Sequence, residues 1–163
     1  MNKVIELNDF VNMRNSIDNL VCCSGGFDPI HMGHISYLQE SAKLGDKLVV
    51  IVNNDNFLVN KKGNYFMPLH ERCLIVAAIE GVDYVIPYLD APDDTVCHAL
   101  NIINPDIFSK GGDRRCQESI PEWEVCFENN IKLKLGVDLP QYFSSSSKYL
   151  ESWIEKNNSS VSC

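Results

Sequence analysis

Apolar and polar positions change their period repeatedly along this chain. Leu20 to Ser24 is a short apolar run ending on glycine, and it predicts a buried strand. His31 to Leu44 follows with Ile35, Leu38 and Ala42 at helical spacing, closed by a basic last turn and Gly45. Lys47 to Val52, KLVVIV, is almost continuously apolar, the pattern of a strand covered on both faces. Asn53 to Met67 is polar and basic and reads as a loop. Leu69 to Glu80 has helical spacing with Pro68 at its start, and Tyr84 to Tyr88 is a third strand. Asp93 to Ile103 predicts a helix that stops before Pro105. Ile107 to Ser109 is a short fourth strand, Pro121 to Asn130 a helix and Lys132 to Val137 a fifth strand. A short helix over 7–14 precedes the series, a helix over Ser147 to Lys156 ends it, and 157–163 reads as a frayed tail.

Strands alternating with helices of about ten residues predict an α/β protein: a doubly wound five-stranded parallel sheet with helices on both faces. No repeat or low-complexity boundary divides the chain, so residues 1–163 read as a single domain. In such a sheet a ligand binds at the carboxyl ends of the strands, where the strand order reverses.

The formal net charge of −8 argues against nucleic acid or an anionic membrane surface as a partner. It leaves room for a small anion in a local basic pocket. No apolar run approaches the ~20 residues of a membrane span, and the N-terminus lacks the apolar core of a signal peptide. The seven cysteines are odd in number and form no CxxC pair. Reduced thiols in a cytoplasmic protein are therefore expected, rather than a disulfide framework or a zinc site.

The chemistry concentrates in GGFDPIHMGH, Gly25 to His34, between the first strand and the first long helix. Gly25 and Gly26 permit a sharp turn and close approach of the backbone to a ligand. The N–H groups and dipole of a helix start attract an anion. His31 and His34 are three apart and share one face of the first turn, with Gly33 leaving space between them. Two imidazoles beside an anion site suit a polyphosphate better than a metal, since no third and fourth ligand is spaced for zinc.

The segment GGFDPIHMGHISYLQESAKLGDKLVVIVNND resembles the first strand–helix–strand of the cytidylyltransferase-like nucleotidyltransferases, which carry an HxGH signature. MPLHERCLIVAAIEGVDYVIPY is similar to the following helix and strand of that family, and PDIFSKGGDR resembles the KGGD loop of heptose 1-phosphate adenylyltransferases. SSSSKYL resembles the serine–threonine start of the family's last helix. The resemblance covers most of residues 20–150 in order, and it implies a Rossmann-like fold, a likeness shared with glycerol-3-phosphate cytidylyltransferase.

The implied activity is transfer of CMP or AMP from CTP or ATP to a small sugar, polyol or alcohol phosphate, with release of pyrophosphate. The resemblance gives His31 and His34 the phosphates, and Lys61 or Lys62 both acceptor and triphosphate. It gives the backbone at Gly26 and Phe27 the α-phosphate, places Gly25 and Gly33 in the nucleotide site, and gives Ser145, Ser146 and Ser147 the β- and γ-phosphates. Gly111, Gly112 and Asp113 would read the base. Magnesium would travel with the triphosphate, and Asp28 is either a partner for it or a turn former before Pro29. Arg72 either reaches the acceptor phosphate or pairs with Glu71 or Glu80. The family often places an arginine shortly before the serine run; GVDLPQYFSSSS has none, which passes that contact to Lys148 or Arg114. A homodimer is also implied. A non-catalytic nucleotide sensor on the same fold remains a second reading. A nicotinamide oxidoreductase is disfavoured, because the first turn is not GxGxxG.

Overall fold

The computed structural model describes residues 3–89, 91–111, 120–137, 139 and 144–159. Five strands form one sheet: β1 (Leu20–Gly25), β2 (Lys47–Asn53), β3 (Tyr84–Tyr88), β4 (Ile107–Lys110) and β5 (Lys132–Leu135). Their order is β3-β2-β1-β4-β5, and every pairing is parallel. The chain builds outward from β1 to β3, then crosses back to place β4 on the other side of β1. The reversal between β1 and β4 opens a crevice at their carboxyl ends.

Among the described residues seven α-helices accompany the sheet: α1 (Leu7–Met13), α2 (Met32–Ala42), α3 (Asp55–Lys62), α4 (Leu69–Ala77), α5 (Cys97–Ile103), α6 (Trp123–Glu128) and α7 (Ser146–Ser159). Successive residues of a strand point to opposite faces, and β1 shows the consequence. Leu20 and Cys22 pack with Phe10 of α1, Leu100 and Ile103 of α5 and Cys126 of α6. Val21 and Cys23 pack with Leu38 of α2 and Cys73 and Val76 of α4. The sheet is thus covered on both faces, which is why β1 and β2 are apolar at nearly every position. Each such buried aliphatic side chain contributes roughly 1.5–3 kcal/mol.

A buried polar cluster ties α2 to β4 beneath the crevice. The Tyr37 hydroxyl donates to the Ser109 carbonyl at 2.6 Å, and Ser109 Oγ donates to Ser41 Oγ at 2.8 Å. The described cysteines, Cys22, Cys23, Cys73, Cys97 and Cys126, are free thiols. No helix among the described residues is long and apolar enough to cross a membrane.

The elements depart from the periodic reading in three places. The expected loop at 53–67 contains α3, which is capped at both ends: Asn54 Oδ1 accepts the Phe57 N–H at 2.8 Å, and Gly63 closes the helix at φ 88°. The helix expected from Asp93 begins only at Cys97, because Asp93 Oδ1 accepts both the N–H and the hydroxyl of Thr95 in a local turn. Helix α7 runs on through Asn157, whose side-chain amide donates to the Trp153 carbonyl at 2.8 Å, where a frayed tail was expected. Trp153 on this helix is 66% exposed.

Candidate active site

A cleft of about 510 Å³ opens at the carboxyl ends of β1, β2 and β4. It gathers segments far apart in sequence: the glycine turn after β1, the first turn of α2, the end of α3, the end of β4 and the start of α7. Of the expected residues, Gly25, Gly26, Phe27, Asp28, His31, Gly33, His34, Lys61, Lys62, Gly111, Ser145, Ser146 and Ser147 line it together. Gly112, Asp113 and Arg114 lie outside the described residues. A second cavity of about 470 Å³ adjoins it and shares Asn53, Phe57, Asp94 and Thr95.

The turn after β1 is held in an unusual backbone conformation. Phe27 has φ 52°, a region that non-glycine residues seldom occupy. Its buried ring lies beneath Gly25, where an added Cβ would sit 3.0 Å from the Phe27 ring, and meets the edge of His34 at 5.2 Å. Packing therefore holds the strained residue, as expected where the backbone is shaped for a ligand.

His31 is the N-cap of α2, and its Nδ1 accepts the Gly33 N–H at 3.1 Å. In the neutral ring that bond places the proton on Nε2. The rings of His31 and His34 stack at 3.8 Å. Burial pushes the His31 pKa down. His34 is held at about 3 by burial first, then by His31 and Lys62. Both rings are therefore neutral near pH 7. The N–H groups expected to meet an anion at this helix start are largely engaged: that of Gly33 by the His31 ring, those of His34 and Ile35 by the His31 carbonyl at 2.9 and 3.2 Å. The imidazole N–H groups and the helix dipole, rather than those amides, remain to attract a phosphate.

Two expected roles give way to structural ones. Asp28 is buried and spends both carboxylate oxygens internally: Oδ1 accepts the Met67 N–H at 2.7 Å, Oδ2 the Phe66 N–H at 2.8 Å, and Oδ2 also pairs with Lys62 Nζ at 2.9 Å. It is an anchor for the 66–67 loop and leaves no open edge for a metal. Among the described residues no group of three His, Cys, Asp or Glu could hold a metal ion.

Arg72, expected at the acceptor or beside Glu71 or Glu80, is 0% exposed. Its guanidinium donates to the Met67 carbonyl at 3.0 Å, the Gly26 carbonyl at 2.7 Å, the Asn53 carbonyl at 2.8 Å and Asp55 Oδ1 at 2.7 Å. It braces the glycine turn and the end of β2 from beneath the cleft, whose lining does not include it. A helix position cannot announce such burial, because every acceptor comes from outside α4.

The two lysines differ. Lys62 Nζ donates to the Asp28 carbonyl at 2.5 Å besides its ion pair, so it is fixed to the turn. Lys61 is exposed and lies 5.5 Å over the Phe57 ring at the cleft wall. The start of α7 is docked as well. Ser146 Oγ donates to the Pro29 carbonyl at 2.9 Å, Ser145 Oγ accepts the Lys148 N–H at 3.2 Å, and Tyr149 tilts over His31 at 5.7 Å.

Sequence reasoning missed Lys110, Glu122 and Ser24. Lys110 Nζ reaches Ser24 Oγ at 3.1 Å and Glu122 Oε1 at 3.4 Å, and all three line the cleft. Lys110 was visible as the residue before the glycine pair; Glu122, twelve residues on and at a helix start, gave no signal.

A cleft of neutral stacked imidazoles, lysines and a serine-rich helix start can bind and orient a polyphosphate. The chain is 41% identical over 110 residues to the bifunctional protein HldE of Hahella chejuensis, covering 66% of this chain and 22% of that protein. It is 37% identical over 127 residues to HldE of Pectobacterium carotovorum, covering 77% of this chain and 25% of the relative. The chain thus spans about a quarter of the curated relatives it matches. A solved lipopolysaccharide core biosynthesis protein from Thermoplasma volcanium superposes with a TM-score of 0.58 at 30% identity, over 71% of this chain and 92% of that one. The cytidylyltransferase-like family model matches residues 22–152, from the middle of β1 into α7, and the chain belongs to that family.

Proposed function

We propose that the chain transfers a nucleotidyl group from a nucleoside triphosphate to a small phosphorylated acceptor and releases pyrophosphate. The observation that carries this reading is the neutral His31–His34 pair, stacked over the strained Phe27 turn in the same cleft as Lys61 and the α7 start. An acceptor phosphate oxygen attacks the α-phosphorus, and the bond to the pyrophosphate oxygen breaks. The acceptor is already a nucleophile at neutral pH, so no protein nucleophile is needed. The protein contributes orientation and oriented dipoles that meet charge developing at the α-phosphate and on the leaving pyrophosphate. His31 donates through Nε2–H, Lys61 brings an exposed cation at the cleft wall, and Lys62 holds the turn. Magnesium carried by the triphosphate would neutralise part of the pyrophosphate charge.

The HldE relatives and the KGGD resemblance favour ATP as donor and a sugar phosphate as acceptor. The homodimer implied by the resemblance is part of the same proposal. A matrix of four nucleoside triphosphates against sugar, polyol and alcohol phosphates, read as pyrophosphate release, tests the reading. Turnover with ATP and a sugar 1-phosphate is expected. Triphosphate binding without pyrophosphate release from any pair would replace it with a nucleotide sensor.

A further inference from the structure

The transfer reading leaves one buried charge in the cleft without a task. Glu122 is 4% exposed and stands just before α6 at the cleft wall. Its Oε1 receives Lys110 Nζ at 3.4 Å, while Oε2 is buried and has no hydrogen-bond partner among the described residues. A carboxylate oxygen withdrawn from water without a donor bears its full desolvation cost, so native structures rarely leave one unmatched.

The chemistry of the missing partner can be narrowed. A further anion would be repelled by the carboxylate. A cation would be repelled by Lys110 Nζ, which already stands 3.4 Å from Oε1. What remains is a neutral donor. On a sugar phosphate that donor is a hydroxyl, and on a nucleotide it is a ribose hydroxyl or an amino group of the base; the hydroxyl is the donor that both ligands share.

We propose that Glu122 accepts a hydrogen bond from a ligand hydroxyl through Oε2, so that the floor between Ser24 of β1 and Lys110 of β4 reads a hydroxylated ring. The hydroxyl belongs either to the ribose of the nucleotide or to the sugar of the acceptor. The inference rests on the nucleotidyl-transfer reading.

The test is calorimetric titration of the full chain with ATP, 2′-deoxy-ATP and 3′-deoxy-ATP, and with mannose 1-phosphate beside its deoxy analogues. The wild type is expected to bind one deoxy compound about ten- to a hundredfold more weakly than its parent, the worth of a hydrogen bond to a charged group. In Glu122→Gln that penalty should shrink to under about threefold. Glu122→Gln leaves Lys110 beside a neutral group. The double variant Lys110→Met with Glu122→Leu removes both charges together and keeps the comparison available if the single variant folds poorly, as judged by thermal unfolding. A Glu122-dependent penalty in the ATP series identifies the ribose, and one in the sugar series identifies the acceptor. A penalty that persists unchanged in a folded variant, or that is absent from the wild type in both series, overturns the inference. Wild type that binds neither ATP nor sugar phosphate overturns the transfer reading instead.

Discussion

His31 and His34 lie face to face, ring centroids 3.8 Å apart and 21° from parallel, and His34 is held neutral with a pKa of about 3. Two cationic rings could not share that spacing without strong repulsion, so the pair acts through N–H dipoles and not through charge. His34→Ala should lower kcat by ~10²–10³, equivalent to about 2.7–4 kcal/mol of transition-state stabilisation. His31→Ala should lose as much and also the helix cap, worth ~1 kcal/mol of stability. His31→Asn, which can still accept the Gly33 N–H, should restore the stability and not the rate. Near-normal turnover in either alanine variant would remove the histidines from the mechanism.

Stability should depend on pH through the same residue. An unfolded histidine titrates near 6.5, so between about 6.5 and 3 the unfolded chain binds a proton that folded His34 does not. The folded state is therefore progressively destabilised as pH falls through that window, and the effect is absent above it. Urea unfolding of the ligand-free protein at pH 7, 6, 5 and 4 should show the decline, and His34→Gln should flatten it. An identical slope in the variant would assign the acid sensitivity to other groups.

The two adjacent lysines should separate cleanly. Lys61→Met removes an exposed side chain at the cleft wall and should weaken triphosphate binding while leaving the melting temperature nearly unchanged. Lys62→Met breaks the contact with buried Asp28 and should cost about 1–3 kcal/mol of stability as well. Calorimetry with ATP and thermal scans of both variants read the two effects. Equal stability losses would mean that the Lys62–Asp28 pair does not hold the turn.

Arg72 is the most exacting position to substitute. Arg72→Ala leaves Asp55 and the carbonyls of Gly26, Asn53 and Met67 without their donor and should destabilise by about 3–5 kcal/mol. Arg72→Lys should rescue only part of that, because a single ammonium cannot reproduce the planar fork. Denaturant midpoints compare the three proteins. A lysine variant as stable as wild type would show that charge alone suffices there.

The strands and the HxGH turn were legible because their signals are local: period, apolar runs and a cluster of special residues within ten positions. KLVVIV could only be a strand covered on both faces, and both faces are covered. Helix α3 was hidden because its composition, DNFLVNKK, is polar and its stability comes from Asn54 and Gly63 at its ends. The roles of Arg72, Asp28 and Glu122 were hidden for a different reason. Each is defined by partners brought in by other segments: Arg72 by the Gly26 and Asn53 carbonyls, Asp28 by the 66–67 loop, Glu122 by Lys110 of β4. A residue's type alone cannot show whether its charge faces the ligand or the frame.

The guanidinium beneath the cleft also bears on how a substrate is met. By gripping the Gly26 carbonyl, the Asn53 carbonyl and Asp55 at once, Arg72 makes the glycine turn and the base of the lysine-bearing helix α3 parts of one rigid body. Their relative motion is frozen when the chain folds, so that portion of the ordering entropy does not fall on the encounter with ligand. At the rim the exposed Lys61 side chain lies over the Phe57 ring. Recognition in this cleft would then be contact with a frame already set, in which little of the backbone has still to be ordered.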